Sequence, residues 1–328
     1  MSDVARLAGV SHQTVSRVIN GVEGIRPQTR DRVLAAVAEL GYRRNNAARL
    51  LASSRSGLIG VVRWGSGLFG PANVIVGIEE VADERGYRLS ISDVRDFTGS
   101  AIRQAVELQL ESAVEALIVI VPHRGALRDI ENGRLGVPVV VAMGGQTDRP
   151  FTVSLDNRAG ARAATRHLLE LGHQTVTHLA GPLDWEEAAA RCEGWRAELE
   201  AEGRTVPALR WGGDWSAQSG YETGRSLARE PDVTAIFAAN DQMALGLIRA
   251  LSEAGRRVPE DVSVVGFDDL PEAPYFAPPL TTVRQEFRLL GNRIMDMVER
   301  ALAGEPDPRA DLVQPELVVR SSTAPPAR

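Results

Sequence analysis

Apolar residues in the first 42 positions recur at helical spacing, and from position 58 they gather into short aliphatic runs separated by helical stretches. Val4, Leu7 and Ala8 fall at i, i+3 and i+4, the stripe of a short helix that Ser2 is placed to cap. Gly9 can turn with positive φ, and Ser11 is a good N-cap for a second helix, His12 to about Ile19, with Val15, Val18 and Ile19 facing inward. Pro27 opens a third helix and Gly41 closes it, with Val33, Leu34, Val37 and Leu40 as its expected buried stripe. Helix, short glycine turn, helix is the helix-turn-helix arrangement. The outward face at the start of the second helix carries His12, Gln13, Ser16 and Arg17. Gln and Arg suit bidentate contacts with adenine and guanine edges, so this face fits a DNA major groove.

The longer remainder alternates. Leu58–Val62, Arg88–Ser92, Ala116–Val121, Val137–Ala142, Val176–Ala180, Ala235–Ala239 and Ser263–Phe267 read as buried strands. Helical patterns at Asn73–Arg85, Ala101–Glu111, Gly160–Leu171 and Gln242–Ala254 lie between them. Alternation of this kind predicts parallel, doubly wound α/β sheets, with binding sites at the carboxyl ends of the strands.

Charge divides the chain the same way. Residues 1–55 carry a net +5 and the rest −11, a basic head on an acidic body, as a polyanion-binding module requires. All basic residues are arginine. A single cysteine, Cys192, allows no internal disulfide and leaves no Cys/His cluster for a structural zinc, so no metal or cofactor is expected. The start, Met1-Ser2-Asp3-Val4, has neither the basic nor the apolar segment of a secretory leader, and no apolar run is long enough for a membrane span. The expectation is a cytoplasmic protein with no membrane partner.

The residues go further than the pattern. Asp3-Val4-Ala5-Arg6-Leu7-Ala8-Gly9-Val10-Ser11, Gln13-Thr14-Val15-Ser16-Arg17-Val18-Ile19-Asn20 and Ala38-Glu39-Leu40-Gly41-Tyr42 closely resemble the lac repressor (LacI/GalR) family of transcription regulators. That resemblance implies a DNA-binding domain over residues 1–43, with the second helix in the major groove of operator DNA. His12, Gln13 and Arg17 would read bases, while Thr14, Ser16, Asn20 and Thr29 would position the backbone. It also implies a hinge over 44–56 that folds on DNA, where Leu51 would wedge a minor-groove base step. Read on its own residues, the hinge is a basic, small-residue-rich linker whose Ala47, Ala48 and Leu51 share a helical face.

In the body the likeness rests on Ala180-Gly181-Pro182, Arg191 with Gly194-Trp195, Gly213-Asp214-Trp215, Ala239-Asn240-Asp241, Val265-Gly266-Phe267-Asp268-Asp269 and Pro279-Leu280-Thr281-Thr282-Val283. It implies a periplasmic-binding-protein-like domain over 57–323 with a ligand between two lobes. Lobe one would span about 57–153 and 286–309, lobe two about 154–285 and 310–323, and residues 324–328 would be a tail. The matching cleft positions are Leu68, Arg191, Trp215, Asn240, Asp268, Gln285 and Phe287, with Trp185 and Glu187 nearby. Such a set suits a sugar: charged and amide groups grip hydroxyls, and tryptophan offers a flat apolar face. Trp195 and Asp269 are expected to pack or cap, and His173 to make a loop contact. The end of the chain, Ser321 to Arg328, has no leucine heptads, so the expected assembly is a homodimer.

One motif competes. Gly65-Ser66-Gly67-Leu68-Phe69-Gly70 follows a strand, precedes a helix and has Asp93 downstream, the ingredients of a dinucleotide fingerprint. Arg63 and Trp64 crowd the junction where such a turn wants compact residues, which favours a glycine loop at a cleft mouth. An NAD(H)-sensing regulator therefore remains an alternative, as does a purine sensor with its ligand stacked on Trp215 and Phe287. Catalysis is not expected, because the five histidines are scattered and no nucleophile–base–acid order is present.

Overall fold

The computed structural model describes residues 1–19, 22, 24–42, 56–64, 67–94, 99–120, 135–142, 151–306 and 310–327. The chain divides into two compact units, Met1–Ser56 and Gly57–Arg328.

Among its described residues the first unit holds three helices, α1 (Ser2–Ala8), α2 (His12–Ile19) and α3 (Pro27–Glu39). Ser11 Oγ accepts from the Thr14 amide at 3.1 Å, capping α2, and Pro27 opens α3. Ser2 does not cap α1. It is the first helical residue, Met1 holds the cap position, and no side chain bonds there. The core is Val4, Ala5, Ala8, Val15, Val18, Val33 and Ala36. Leu7, Leu34 and Leu40, expected inside, are exposed. Helices of seven and eight residues cover only a narrow strip of α3, and Val33, Ala36 and Val37 fill it.

The second unit is two six-stranded sheets. The first contains β1 (Leu58–Trp64), β2 (Arg88–Val94), β3 (Ala116–Ile120), β4 (Val139–Ala142), β5 (Thr152–Leu155) and β11 (Asp311–Val313), in the order β11-β5-β4-β3-β1-β2. The second contains β6 (Thr177–Ala180), β7 (Trp211–Gly212), β8 (Ala235–Ala238), β9 (Ser263–Asp268), β10 (Thr281–Arg284) and β12 (Glu316–Val318), in the order β12-β10-β9-β8-β6-β7. Every pairing is parallel except β10 with β12. β3, β5, β6, β8 and β9 are buried along their whole length, as strands covered on both faces must be.

The chain passes between lobes three times, after β5, after β10 and between β11 and β12. Because β11 joins the first sheet, the last passage falls at Gln314-Pro315 rather than at 310. The expected tail is also part of lobe two. The Ala324 amide donates to Ser263 Oγ at 3.0 Å, and His173 Nε2 lies 3.1 Å from the Ala324 carbonyl. His173 is thus the expected loop contact, a buried tie between a helix-end loop and the C-terminal segment.

Helices α4 (Phe69–Glu84) and α5 (Gly99–Glu111) belong to lobe one, joined by α10 (Phe287–Leu302) after the second crossing. α4 and α10 touch backbone to backbone: a Cβ on Gly77 would lie 2.2 Å from the Phe287 carbonyl oxygen, and one on Gly291 would lie 2.1 Å from that of Gly77. Helices α6 (Asn157–Glu170), α7 (Glu186–Ala201), α8 (Ala217–Leu227) and α9 (Asp241–Glu253) cover lobe two.

Candidate functional site

In each sheet the strand order reverses once beside the first strand of its lobe, between β1 and β3 and between β6 and β8. Loops leaving the carboxyl ends of strands at such reversals diverge and open a crevice. A cleft of the second unit lies there. It is a cavity of about 240 Å³ walled by Gly67 and Leu68 after β1, by the start of the next helix (Phe69 to Pro71), by Asp268 at the end of β9 and by residues following β6, β7, β8 and β10.

Of the residues expected in this cleft, Leu68, Trp185, Glu187, Arg191, Trp215, Asn240, Asp268 and Gln285 all line it. Phe287 does not. It opens α10, its carbonyl is pressed against Gly77, and its ring packs on lobe one with an edge contact to Phe69 at 5.8 Å. Phe69 stands in the wall instead, with Gly70, Pro71, Asp214, Ser216 and Gln242, none of them among the expected cleft positions.

Arg191 is the centre of the polar wall. It is buried on α7, donates from Nε to Asn157 Oδ1 at 2.8 Å and from Nη1 to the Ala239 carbonyl, and turns Nη2 toward Asp268 Oδ1 at 3.6 Å. Its guanidinium lies 3.8 Å over the Phe267 ring and 5.4 Å from the Trp215 ring centre. Gln285 Nε2 donates to the same Asp268 oxygen. Burial raises the Asp268 carboxyl to about 6, and the nearby Arg191 charge and the Gln285 bond hold it from going higher. Asp268 and Trp215 take positive φ, 116° and 75°. Conformations so unfavourable for side-chain-bearing residues persist where surrounding contacts fix them, often at binding sites.

Asn240 caps α9: its Oδ1 accepts from the Met243 amide at 3.0 Å, while Nδ2 donates to the Trp215 carbonyl at 3.0 Å. The cap therefore also places the indole of Trp215. Gly181 makes room for that indole, since a Cβ there would come within 2.4 Å of the ring. Trp185 stands edge-on to Trp215 at 5.7 Å and to Trp64 of lobe one at 4.9 Å, an aromatic contact from lobe to lobe. Two polar groups remain unpaired here. Trp215 Nε1 and both oxygens of Glu187 are buried without a partner from another residue.

The neighbours of the site behave as packing residues. Trp195 is buried and donates to the Val176 carbonyl at 2.8 Å. Asp269 pairs with Arg284 at 2.7 Å and with Arg320 at 2.6 Å, tying β10 to the C-terminal segment. Among the described residues no His, Cys, Asp and Glu cluster could hold a metal ion, and no helix is long and apolar enough to cross a membrane.

In the first unit His12, Gln13 and Arg17 are exposed on α2, while Thr14, Ser16 and Thr29 are half-buried. Asn20, Leu51 and most of the hinge lie outside the described residues, as do Gly65 and Ser66 of the glycine loop.

A helix-turn-helix unit and a two-lobed α/β unit with a polar cleft define a ligand-responsive, DNA-binding regulator. Residues 1–45 match the lacI family of bacterial regulatory proteins, and residues 165–323 match a periplasmic binding protein-like domain. The lactose operon repressor of Escherichia coli K12 is 37% identical over 327 residues, which cover 99% of this chain and 90% of that one. The crystal structure of the lac repressor dimer bound to operator and the anti-inducer ONPF superposes with a TM-score of 0.88, at 37% identity over 98% of both chains. The complex of the regulator CelR with cellobiose does so with a TM-score of 0.74, at 33% identity over 98% of both. The chain belongs to the lacI family and is a DNA-binding transcription regulator.

Proposed function

We propose that this protein is a cytoplasmic repressor that binds operator DNA as a homodimer and whose operator affinity is set by a sugar held between its lobes. The observation that carries the sugar reading is the cleft wall itself. Arg191, Asp268, Gln285 and Asn240 converge beside the indoles of Trp185 and Trp215. A polyol entering a protein must replace its hydrogen bonds to water, which needs charged and amide groups at fixed angles, and its C–H face needs a flat apolar partner. The similar CelR is solved with cellobiose, which supports a saccharide in this position.

For DNA, His12, Gln13 and Arg17 are the proposed base readers. Thr14, Ser16, Asn20 and Thr29 would hold the phosphate backbone, and Leu51 would wedge a base step. Sugar and operator then act on one another through the lobes, reciprocally, as linked binding equilibria must.

Two specific observations weaken the alternatives. A purine stacked between Trp215 and Phe287 would lose one of its two faces, because Phe287 packs on lobe one. A dinucleotide would need the Asp93 carboxylate for its ribose, yet Arg63 Nε donates to that carboxylate at 2.6 Å. A thermal-shift screen of mono- and disaccharides, nucleobases and NAD(H) tests the reading, since a ligand of the folded state raises its melting temperature. A sugar should stabilise the protein. Stabilisation by a nucleobase or NAD(H) alone would overturn the proposal.

A further inference from the structure

Glu187 stands in the first turn of α7, lines the cleft and is buried, yet neither of its carboxylate oxygens accepts a hydrogen bond from another residue. Burial pushes its carboxyl up to about 8, despite the opposing pull of Arg191. Arg191 cannot turn to it, because Asn157, the Ala239 carbonyl and Asp268 already hold the guanidinium. Among the described residues the cleft wall carries three carboxyl groups, those of Glu187, Asp214 and Asp268, against this one cation. Asp214 is exposed and bonded to Ser216, and Asp268 faces Arg191, so the uncompensated acid is Glu187.

A buried carboxyl without a partner either keeps its proton or draws in a cation. We propose that the effector is an amino sugar whose protonated amine pairs with Glu187, with the indoles of Trp185 and Trp215 beside it. The inference rests on the sugar reading of the cleft. A neutral hydroxyl could also bond to Glu187, but the carboxyl would then stay protonated or, once ionised, keep its charge uncompensated. An ammonium group makes the same hydrogen bond and cancels the charge. Indole faces attract cations as well, so the aromatic wall favours the same ligand. The Glu187 oxygens are covered within the wall and must turn into the cavity to meet the amine. With no hydrogen bond from another residue to give up, the turn costs a change of rotamer and the pull of its own backbone amide.

Titration calorimetry on the full chain at pH 7 tests this. Glucosamine, galactosamine, mannosamine and the β-1,4-linked glucosamine disaccharide are each compared with their neutral parents, glucose, galactose, mannose and cellobiose. At least one amine should bind roughly tenfold or more tightly than its parent. Its binding should release about one proton, read from buffers of different ionisation heat, because the carboxyl gives up its proton to the pair. Glu187→Gln should remove both the preference and the proton release. The wild-type preference and proton count stand as tests even if that variant does not fold. A neutral parent bound as tightly as its amine, or a preference that survives in Glu187→Gln, overturns the amine assignment and leaves the sugar reading in place. If no sugar of either kind binds, the sugar reading itself fails.

Discussion

Replacing Asp268 by Asn removes the anion that faces a buried guanidinium. Asn keeps the shape, can still accept the Gln285 hydrogen bond, and tolerates the positive φ of 116° better than Ala does. What it removes is the charge 3.6 Å from Arg191 Nη2. Breaking a buried ion pair by deleting one partner typically costs about 3–5 kcal/mol, since the remaining charge stays buried without its counter-ion. Here the low end applies. Arg191 keeps its bonds to Asn157 and the Ala239 carbonyl, and the neighbouring Glu187 carboxyl can ionise to compensate. A loss of about 3 kcal/mol should lower the melting temperature by on the order of 5–10 °C. Removing both charges, in Arg191→Met with Asp268→Asn, leaves neither ion of the pair, so the double variant should cost at least about 2 kcal/mol less than the two single losses added together. Denaturant melts of the four proteins close the cycle. Additive losses, or an Asp268→Asn loss below about 1 kcal/mol, would refute the claim that these two groups depend on each other.

Arg17→Ala should cost about 1–3 kcal/mol of specific operator affinity and relax preference at one base pair per half-site, as read by binding-site selection. Gly181→Ala drives a methyl group into the Trp215 ring, so sugar affinity should fall about tenfold in calorimetry with the melting temperature lowered by only a few degrees. Glu187 binds its proton more tightly folded than unfolded, so its contribution to stability is full below about pH 4.5 and is lost as pH rises toward about 8. Wild type should therefore lose stability relative to Glu187→Gln across that window, by at most about 1.4 kcal/mol per pH unit; parallel pH–stability curves would contradict the burial of that carboxyl.

The sequence made most of the strands visible because uninterrupted aliphatic runs such as Ala116–Ile120 have one stable use, a strand buried on both faces. α7 was not legible. Glu187, Arg191 and Glu198 face inward along it, two into the cleft and one held by Arg162 and Arg166, so charge appears where a helix normally shows its apolar stripe. The two-residue β7 is too short for any period to show, and the four residues of β5 alternate polar and apolar although all are buried. Residues carried by family motifs line one cleft because most stand at or just past the end of a strand whose register the core fixes, Arg191 on α7 excepted. Phe287 was misplaced because position in the chain does not tell which way the first turn of α10 faces, and the contact between Gly77 and Gly291 sets that direction. The partnerless state of Glu187 is a property of three-dimensional burial, which no spacing in the sequence encodes.

The central claim is that one sugar-filled cleft governs one operator-binding face. Fluorescence anisotropy of labelled operator, titrated with the full chain with and without the best-binding sugar of the panel, measures it directly. The account predicts a change in operator affinity of about tenfold or more, matching a coupling of 1–3 kcal/mol. It also predicts that Asp268→Asn still binds operator but no longer responds to the sugar. A sugar that binds the cleft while leaving operator affinity unchanged would contradict the account.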